Sequence, residues 1–228
     1  MTFLVISDVH GNIAMLDKLD AQFRAVDAVL FGGDFAAFNK PETGLPALEA
    51  LCKKHETIFA VIGNCDEPDF RAELERKDIS VEGALLFHDG LAFAGSGGGS
   101  KFSGDTPNER SDEDLAADFA LVEQSTGAAP HGRWNNLIAI MHNPPKDTAC
   151  DVIAGGMHVG SPALRRFIDV HQPLAVITGH IHESAAVDVI GQTTLINPGA
   201  LFEGKYARLS VANDGGMWRV TDASLACL

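Results

Sequence analysis

Side chains able to bind a metal ion follow five short apolar runs of the sequence. They are Asp8 and His10, Asp34, Asn64 and Asp66, His142, and His180 and His182. Carboxylate, amide and imidazole groups supply the oxygen and nitrogen donors that divalent cations such as Mn²⁺, Fe²⁺ and Zn²⁺ accept. The set is larger than one ion needs, and it therefore points to a site that holds two metal ions.

No single pair of these residues would support that inference. The chain has nine histidines, so an Asp-x-His or His-x-His pair arises easily by chance. Gly-Asp and Gly-Asn pairs are typical of turns. The pairs are informative because they occur together, each directly after an apolar run.

The apolar runs are predicted to be buried strands. They span residues 3–6, 28–31, 57–62, 137–141 and 174–178. Short apolar runs of this kind are typical of strands that are covered on both faces of a sheet. Because ligands of open α/β sheets bind beyond the carboxyl ends of the strands, we expect the residues that follow these runs to converge.

Helical patterns separate the predicted strands. We expect one helix that begins after Asn12 and another that begins after Ser161. Further helices are expected over 45–54, over 67–76 and from Ser111 to about residue 123. Residues 79–95 and the chain after 184 carry closely spaced apolar runs, which predict hairpins. The pattern indicates an α/β fold in which two sheets pack face to face with helices outside, and residues 1–228 form a single domain.

The charge composition of the chain limits the kinds of molecule that it can bind. Lys and Arg number 17 against 31 Asp and Glu, which gives the 228-residue chain a net charge of −14. A chain this acidic repels polyanions, so we expect no binding of extended nucleic acid through a basic surface. A small anionic substrate can still bind if metal ions make the site itself positive.

The cysteines and the apolar runs indicate where in the cell the protein is found. None of the four cysteines forms a C-x-x-C pair, which excludes a zinc ribbon. No apolar run approaches the roughly 18 residues of a membrane span, and the first residues lack a secretory pattern. We expect a cytoplasmic protein with no membrane partner, and we leave a homo-oligomer open. His131 fits no motif and is expected at the surface.

The motifs resemble, in the same order, those of the calcineurin-like metallophosphoesterases. They are Asp8-x-His10, Gly33-Asp34, Gly63-Asn64-x-Asp66, His142 and Gly179-His180-x-His182. The resemblance extends from residue 4 to about 200. The segments 158–161 and 197–200 are similar to those of small bacterial and archaeal members related to the phosphodiesterase Icc. The resemblance implies a four-layer α/β/β/α sandwich of two mixed β-sheets flanked by helices.

The resemblance also implies how the ligands divide between two divalent ions, of Mn, Fe or Zn. One ion would be held by Asp8, His10, Asp34 and His182, and the other by Asp34, Asn64, His142 and His180. Asp34 would bridge the two ions. The implied reaction is hydrolysis of a small phosphate ester, in which a hydroxide shared by the ions attacks phosphorus in line.

The sequence departs from the family pattern at Cys65. The family usually has a histidine there, which assists the leaving group and is oriented by the carboxylate that here is Asp66. A thiol, with an ordinary pKa of about 8.5, is a weaker general acid than an imidazole at neutral pH. We therefore expect weaker protonation of the leaving group, or protonation by another group such as His158. The predicted catalytic residues are thus Asp34, Asn64, Cys65, Asp66 and His158.

Several functions remain open on this fold. We favour a phosphodiesterase over a phosphomonoesterase, because a monoester dianion needs extra cationic contacts and no Arg follows Asp34 or Asn64 within their motifs. A non-catalytic binding or scaffold protein is the main alternative, which the complete ligand set disfavours. The net charge disfavours a nuclease. An amidohydrolase would carry its His-x-His pair near the first strand of a longer barrel.

Overall fold

The computed structural model describes residues 1–125 and 134–228, so that His131 lies outside the described part. The strands are β1 (Thr2–Ile6), β2 (Ala28–Phe31), β3 (Ile58–Ala60), β4 (Leu86–His88), β5 (Leu91–Ser96), β6 (Gly99–Ser100), β7 (Glu109–Arg110), β8 (Leu137–Met141), β9 (Val152–Ile153), β10 (Met157–His158), β11 (Ala175–Ile177), β12 (Ala186–Ile190), β13 (Thr193–Asn197), β14 (Lys205–Asp214) and β15 (Met217–Cys227). The helices are α1 (Ile13–Lys18), α2 (Asp20–Phe23), α3 (Gly44–Cys52), α4 (Arg71–Arg76), α5 (Asp112–Ala117), α6 (Ala120–Gln124) and α7 (Pro162–His171).

Two mixed sheets form the middle of the molecule. The first has the order β15-β14-β1-β2-β3, in which β1, β2 and β3 are parallel and β14 is antiparallel to β1. The second has the order β12-β13-β11-β8-β5-β4, with four parallel strands between antiparallel edges. The parallel strands of each sheet therefore end at the same edge, as a site beyond the strand ends requires.

Alternate residues of each strand enter different apolar cores. Phe3 and Val5 of β1 lie in the core between the two sheets, whereas Leu4 and Ile6 lie in the core beneath the helices of the first sheet. Successive side chains of a strand point to opposite faces, so a strand covered on both sides must be apolar at every position. This explains why the predicted strands are continuous apolar runs.

Helices close the outer face of each sheet. Leu16 of α1 and Leu48 of α3 are buried against the first sheet. Leu115 of α5 and Phe167 of α7 are buried against the second. The predicted four-layer α/β/β/α sandwich is confirmed, with one apolar core between each pair of neighbouring layers.

Element boundaries differ from the prediction where local geometry intervenes. The helix expected behind Asn12 stops at Lys18 and resumes as α2, and the Asn12 side chain makes no capping hydrogen bond. Ser111 does cap α5, since its hydroxyl accepts a hydrogen bond from the Asp114 amide at 3.1 Å. Residues 79–81 form no hairpin strand, because Ser80 only bridges Ala60 in parallel at the edge of β3.

None of the described helices combines the length and apolarity that a bilayer crossing demands. The single domain over residues 1–228 and the cytoplasmic location stay predictions.

The stacked pair Phe59 and Phe93 provides a test of the core between the sheets. The two rings are parallel, with centroids 3.7 Å apart, and Phe93 is fully buried. We expect Phe93→Ala to lower the free energy of unfolding by about 3–5 kcal/mol in a urea titration. Phe87→Ala, on the neighbouring strand β4 and 62% exposed, should change it by less than about 1 kcal/mol. Equal losses would contradict this assignment of the core.

A buried carboxyl group, Glu82, lies among arginines near the ends of β3 and β5. Its Oε1 is 4.0 Å from Arg71 Nη1 and 3.8 Å from Arg110 Nη1, and Arg110 also binds Asp118 at 2.6 Å. Burial and the Asp118 carboxylate raise the pKa of Glu82 to about 7, against the effect of the two arginines. The folded state therefore holds the Glu82 proton more tightly than the unfolded state does.

This pKa shift predicts a pH dependence of stability. The contribution of the protonated carboxyl is present below its ordinary pKa of 4.5 and is lost as pH rises towards about 7. Between pH 5 and 8, the wild type should lose about 2 kcal/mol of unfolding free energy relative to Glu82→Gln. Urea titrations at both pH values measure the difference. Glu75→Gln, which removes an exposed partner of Arg71, should match the wild type, and identical pH profiles for Glu82→Gln and the wild type would contradict the assignment.

Candidate metal centre

The ends of five strands from both sheets meet at one cleft. Asp8, Asp34 and Asn64 follow β1, β2 and β3 of the first sheet, and His142 and His180 follow β8 and β11 of the second. The cleft has a volume of about 500 Å³. Its lining includes His10, Asp34, Asn64, Cys65, His180 and His182, while Asp8 and His142 are buried beneath it. The structure thus brings the predicted ligand residues together.

One half of the centre is formed by Asp8, His10 and His182. The Nε2 atom of His182 lies 3.2 Å from Asp8 Oδ1, and His10 Nε2 lies 3.8 Å from the same oxygen. The two Nε2 atoms are 3.4 Å apart. Two imidazole nitrogens and a carboxylate oxygen that face one another at these distances are suited to a shared cation.

The other half is formed around Asp34. Its Oδ2 lies 3.6 Å from His10 Nε2 and 3.5 Å from His142 Nε2. His142 Nε2 is also 2.8 Å from Asn64 Oδ1. The His180 ring lies beside that of His142, with 5.3 Å between centroids. Asp34 therefore lies between the two halves, where a bridging carboxylate would be.

Backbone carbonyls orient two of the imidazoles. His10 Nδ1 is 3.0 Å from Ala36 O, and His142 Nδ1 is 2.7 Å from Gly32 O. A carbonyl oxygen only accepts, so each Nδ1 carries a hydrogen and the neutral ring has its lone pair on Nε2. Both Nε2 atoms face carboxylate oxygens, as ligands of a shared cation would. A carbonyl that accepts from the other ring nitrogen is usual behind metal-bound histidines.

Burial and mutual interactions shift the ionisation of these groups. Although burial opposes ionisation, His142 and His10 hold the pKa of Asp34 below its ordinary range, and His182 does the same for Asp8. Against the effect of burial, Asp34 raises the pKa of His142 to about 9. Burial and the neighbouring His142 lower the pKa of His180 to about 4. The carboxylates thus stay charged and favour cations at this point.

The backbone at several ligand residues has a left-handed conformation. The φ angles are 56° at Asp8, 45° at His10, 61° at Asp34 and 67° at His180. Such angles are uncommon outside glycine, although Asp, Asn and His adopt them more often than other residues. Backbone strain of this kind tends to persist at functional sites, where the surrounding structure holds it in place.

Two glycines allow the strand ends to approach each other. A Cβ on Gly63 would overlap Asp34 Oδ1. A Cβ on Gly179 would overlap Ser7 Oγ and would lie only 2.6 Å from Asp8 Oδ2. Glycine at these two positions leaves room for the side chains of Asp34, Ser7 and Asp8.

Asp66 supports the centre from behind. Its buried carboxylate accepts hydrogen bonds from the amides of Gly63 at 2.8 Å, Ala36 at 2.7 Å and Phe35 at 3.2 Å. Burial and the nearby Asp34 raise the pKa of Asp66 to about 6. These contacts hold the loops that carry Asp34 and Asn64, which makes Asp66 a positioning residue in this geometry.

Cys65 occupies the cleft as the sequence predicts, but as a protonated thiol. Its amide donates to Asp34 Oδ1 at 2.8 Å, which fixes the carboxylate independently of the side chain. Burial and the neighbouring Asp34 raise the pKa of the Cys65 thiol. The thiol therefore keeps its proton at neutral pH.

His158 is directed to a different partner. Its Nδ1 lies 2.7 Å from Oδ1 of Asp151, a buried carboxylate that also accepts from the amides of Thr148 and Gly160. Among the described residues, His158 does not line the cleft. The predicted catalytic role of His158 gains no support from this geometry.

Two aromatic residues that the motifs do not include also line the cleft. Phe202 packs edge-on against the rings of His10 and His182, with centroids 5.3 and 5.2 Å away, and Phe38 lines the opening at 52% exposure. Phe202 comes just after the segment 197–200, which belongs to the family resemblance, and its amide donates a hydrogen bond to Asp8 O at 3.2 Å. No motif of the sequence lies next to Phe38 in the same way.

The chain matches a family model over most of its length. The model for calcineurin-like phosphoesterases matches residues 1–184. An uncharacterised protein of Methanocaldococcus jannaschii, MJ1162, is 28% identical over 204 residues, which cover 87% of this chain and 88% of that protein.

Solved structures share the fold at low sequence identity. TT1561 of Thermus thermophilus aligns with a TM-score of 0.70 and 20% identity over 91% of this chain and 93% of its own. A dimetal phosphatase of Danio rerio aligns with a TM-score of 0.66 and 14% identity over 100% of this chain and 98% of its own. These likenesses establish the architecture.

The positioning role of Asp66 can be tested with Asp66→Asn. An amide nitrogen in place of a carboxylate oxygen leaves a buried N–H without an acceptor, at a cost of about 1–3 kcal/mol in unfolding free energy. Because the loops of Asp34 and Asn64 then shift, the affinity for Mn²⁺ or Zn²⁺ in calorimetric titrations should fall about 10–100-fold. Asp151→Asn is the matched control, since it weakens a similar cradle outside the centre. Loss of metal affinity in both variants, or in neither, would contradict the assigned role.

Proposed function

Because the chain belongs to the calcineurin-like phosphoesterase family, we propose that it is a metal-dependent hydrolase of small phosphate esters that prefers diesters. One observation carries the proposal: carboxylate, amide and imidazole groups from five strand ends and two sheets converge on a single cleft. A structural role alone would not require so many buried polar groups at one point, since each costs free energy unless it is satisfied.

The donor set fits two divalent cations, as is typical of the family. In the proposal, one ion is held by Asp8, His10, Asp34 and His182, and the second by Asp34, Asn64, His142 and His180. When bound, two such ions supply positive charge for phosphoryl oxygens and lower the pKa of water. The donors suit Mn, Fe or Zn, because none of the proposed ligands is a thiolate.

The protein residues orient the metal-binding atoms and cover part of the centre. The carbonyls behind His10 and His142 keep their Nε2 atoms directed into the centre. Phe202 covers the rings of His10 and His182. Because the Cys65 thiol holds its proton tightly, it is a weak general acid, and we expect esters with good leaving groups to react fastest.

The preference for diesters is supported by the charge of the cleft. Within the described part of the chain, no Lys or Arg lines it. A phosphomonoester carries two negative charges near neutral pH, whereas a diester carries one. With the metal ions as the local source of positive charge, the singly charged diester is the better match.

We expect metal-dependent hydrolysis that Asp34→Asn lowers strongly. Protein stripped of metal and reloaded with Mn²⁺ should hydrolyse bis-p-nitrophenyl phosphate faster than p-nitrophenyl phosphate. Loss of the shared carboxylate should lower kcat/KM by about a thousandfold, which corresponds to about 4 kcal/mol of transition-state stabilisation. The released p-nitrophenol measures the rate, and elemental analysis measures the bound metal.

A matched substitution controls for the change of Asp to Asn. Asp89 also has a left-handed φ, of 49°, but lies in the turn between β4 and β5. Asp89→Asn should keep the wild-type rate. If the wild type binds two ions but hydrolyses neither ester with Mn²⁺, Fe²⁺ or Zn²⁺, the function is a non-catalytic one on this fold.

A further inference from the structure

A second cavity adjoins the cleft over the candidate metal centre. This side cavity has a volume of about 320 Å³. Its wall consists of Asn39, Lys40, Pro41, Cys65, Glu67, Gly104, Asp105, Thr106 and Pro107. Cys65 and Thr106 line both the cleft and the side cavity, so these two residues form the junction between the two spaces.

Cys65 presents a small side chain at this junction. Its side chain ends at one sulfur atom beyond Cβ, and the residue is 8% exposed. The backbone amide of Cys65 donates a hydrogen bond to Asp34, which fixes the backbone at this residue. A passage past the sulfur, from the metal centre into the side cavity, would be narrowed by a larger side chain at this position.

The side cavity is polar and carries a small negative charge. Lys40 contributes one positive charge against the carboxylates of Glu67 and Asp105, which disfavours a second anionic group of a ligand. Within the described chain, the side chains of Lys40 and Asn39 make no hydrogen bond to another residue. These donors and the carboxylate acceptors are suited to hydroxyl groups, which both donate and accept.

We propose that the side cavity is the subsite for one of the two ester substituents of the substrate, and that this substituent is uncharged and bears hydroxyl groups. The inference rests on the proposed function, since it requires the phosphate at the metal centre. The other substituent then lies in the main cleft, against Phe38 and Phe202. A phosphomonoester has only one substituent and would leave one of these two spaces unused.

The test compares two diesters that differ in one substituent. The probes are glyceryl p-nitrophenyl phosphate and methyl p-nitrophenyl phosphate, with the Mn²⁺-loaded protein. Loss of each diester is followed by phosphorus NMR, so that cleavage of either ester bond is counted. We expect the wild type to favour the glyceryl diester by about tenfold or more in kcat/KM.

Substitutions at the junction should change this ratio specifically. Cys65→Leu fills the passage and should bring the ratio close to one, whereas Cys65→Ser keeps the passage and the ratio. Because Cys65 lies in the candidate centre, the ratio between two substrates within one variant is the informative quantity. Thr106→Leu narrows the junction from an exposed loop and should act in the same direction, while Thr221→Leu on β15 should leave the ratio unchanged.

The outcomes separate this inference from the proposed function. If the wild type hydrolyses neither diester with bound metal, the proposed function fails. If it hydrolyses both at the same kcat/KM, or if Cys65→Leu and Thr106→Leu keep the preference for the glyceryl diester, the side cavity is not a substituent subsite and the phosphoesterase remains.

Discussion

The Asp34 carboxylate joins the two sheets at the candidate metal centre. One of its oxygens lies 3.6 Å from His10, which follows the first sheet's β1, and 3.5 Å from His142, which follows the second sheet's β8. The other accepts the Cys65 amide at 2.8 Å. A buried carboxylate is costly unless charge and hydrogen bonds compensate it. The positions of both imidazoles and of the loop after β3 are therefore tied to this one side chain.

This arrangement is held by structure that lies outside the cleft. The left-handed backbone at Asp8, His10, Asp34 and His180 costs free energy. The carbonyls behind two of the histidines and the carboxylate of Asp66 fix the loops from behind. The apolar cores on both sides of each sheet fix the strand ends from which the loops start. The centre is preorganised because rigid strands deliver most of its residues.

Most of the site and the architecture could be predicted from the sequence, because both depend on short-range patterns. Apolar runs marked the strands, and the residues that follow them marked the centre. The three amide contacts of Asp66 could not be predicted, since they come from two different loops. The junction at Cys65 and the aromatic wall of Phe38 and Phe202 depend on how distant loops meet. The break after Lys18 and the missing cap from Asn12 likewise had no signal in the local pattern.

The order in which the chain leaves the ribosome constrains when the centre can form. Asp8 contacts His182, 174 positions later in the chain, and β1 pairs with β14, which begins at Lys205. Contacts between such distant residues form late, because closing a long loop costs entropy before any contact offsets it. A nascent chain therefore presents separate donors rather than a site. The proposed metal centre can therefore form only in a chain whose two sheets have already assembled.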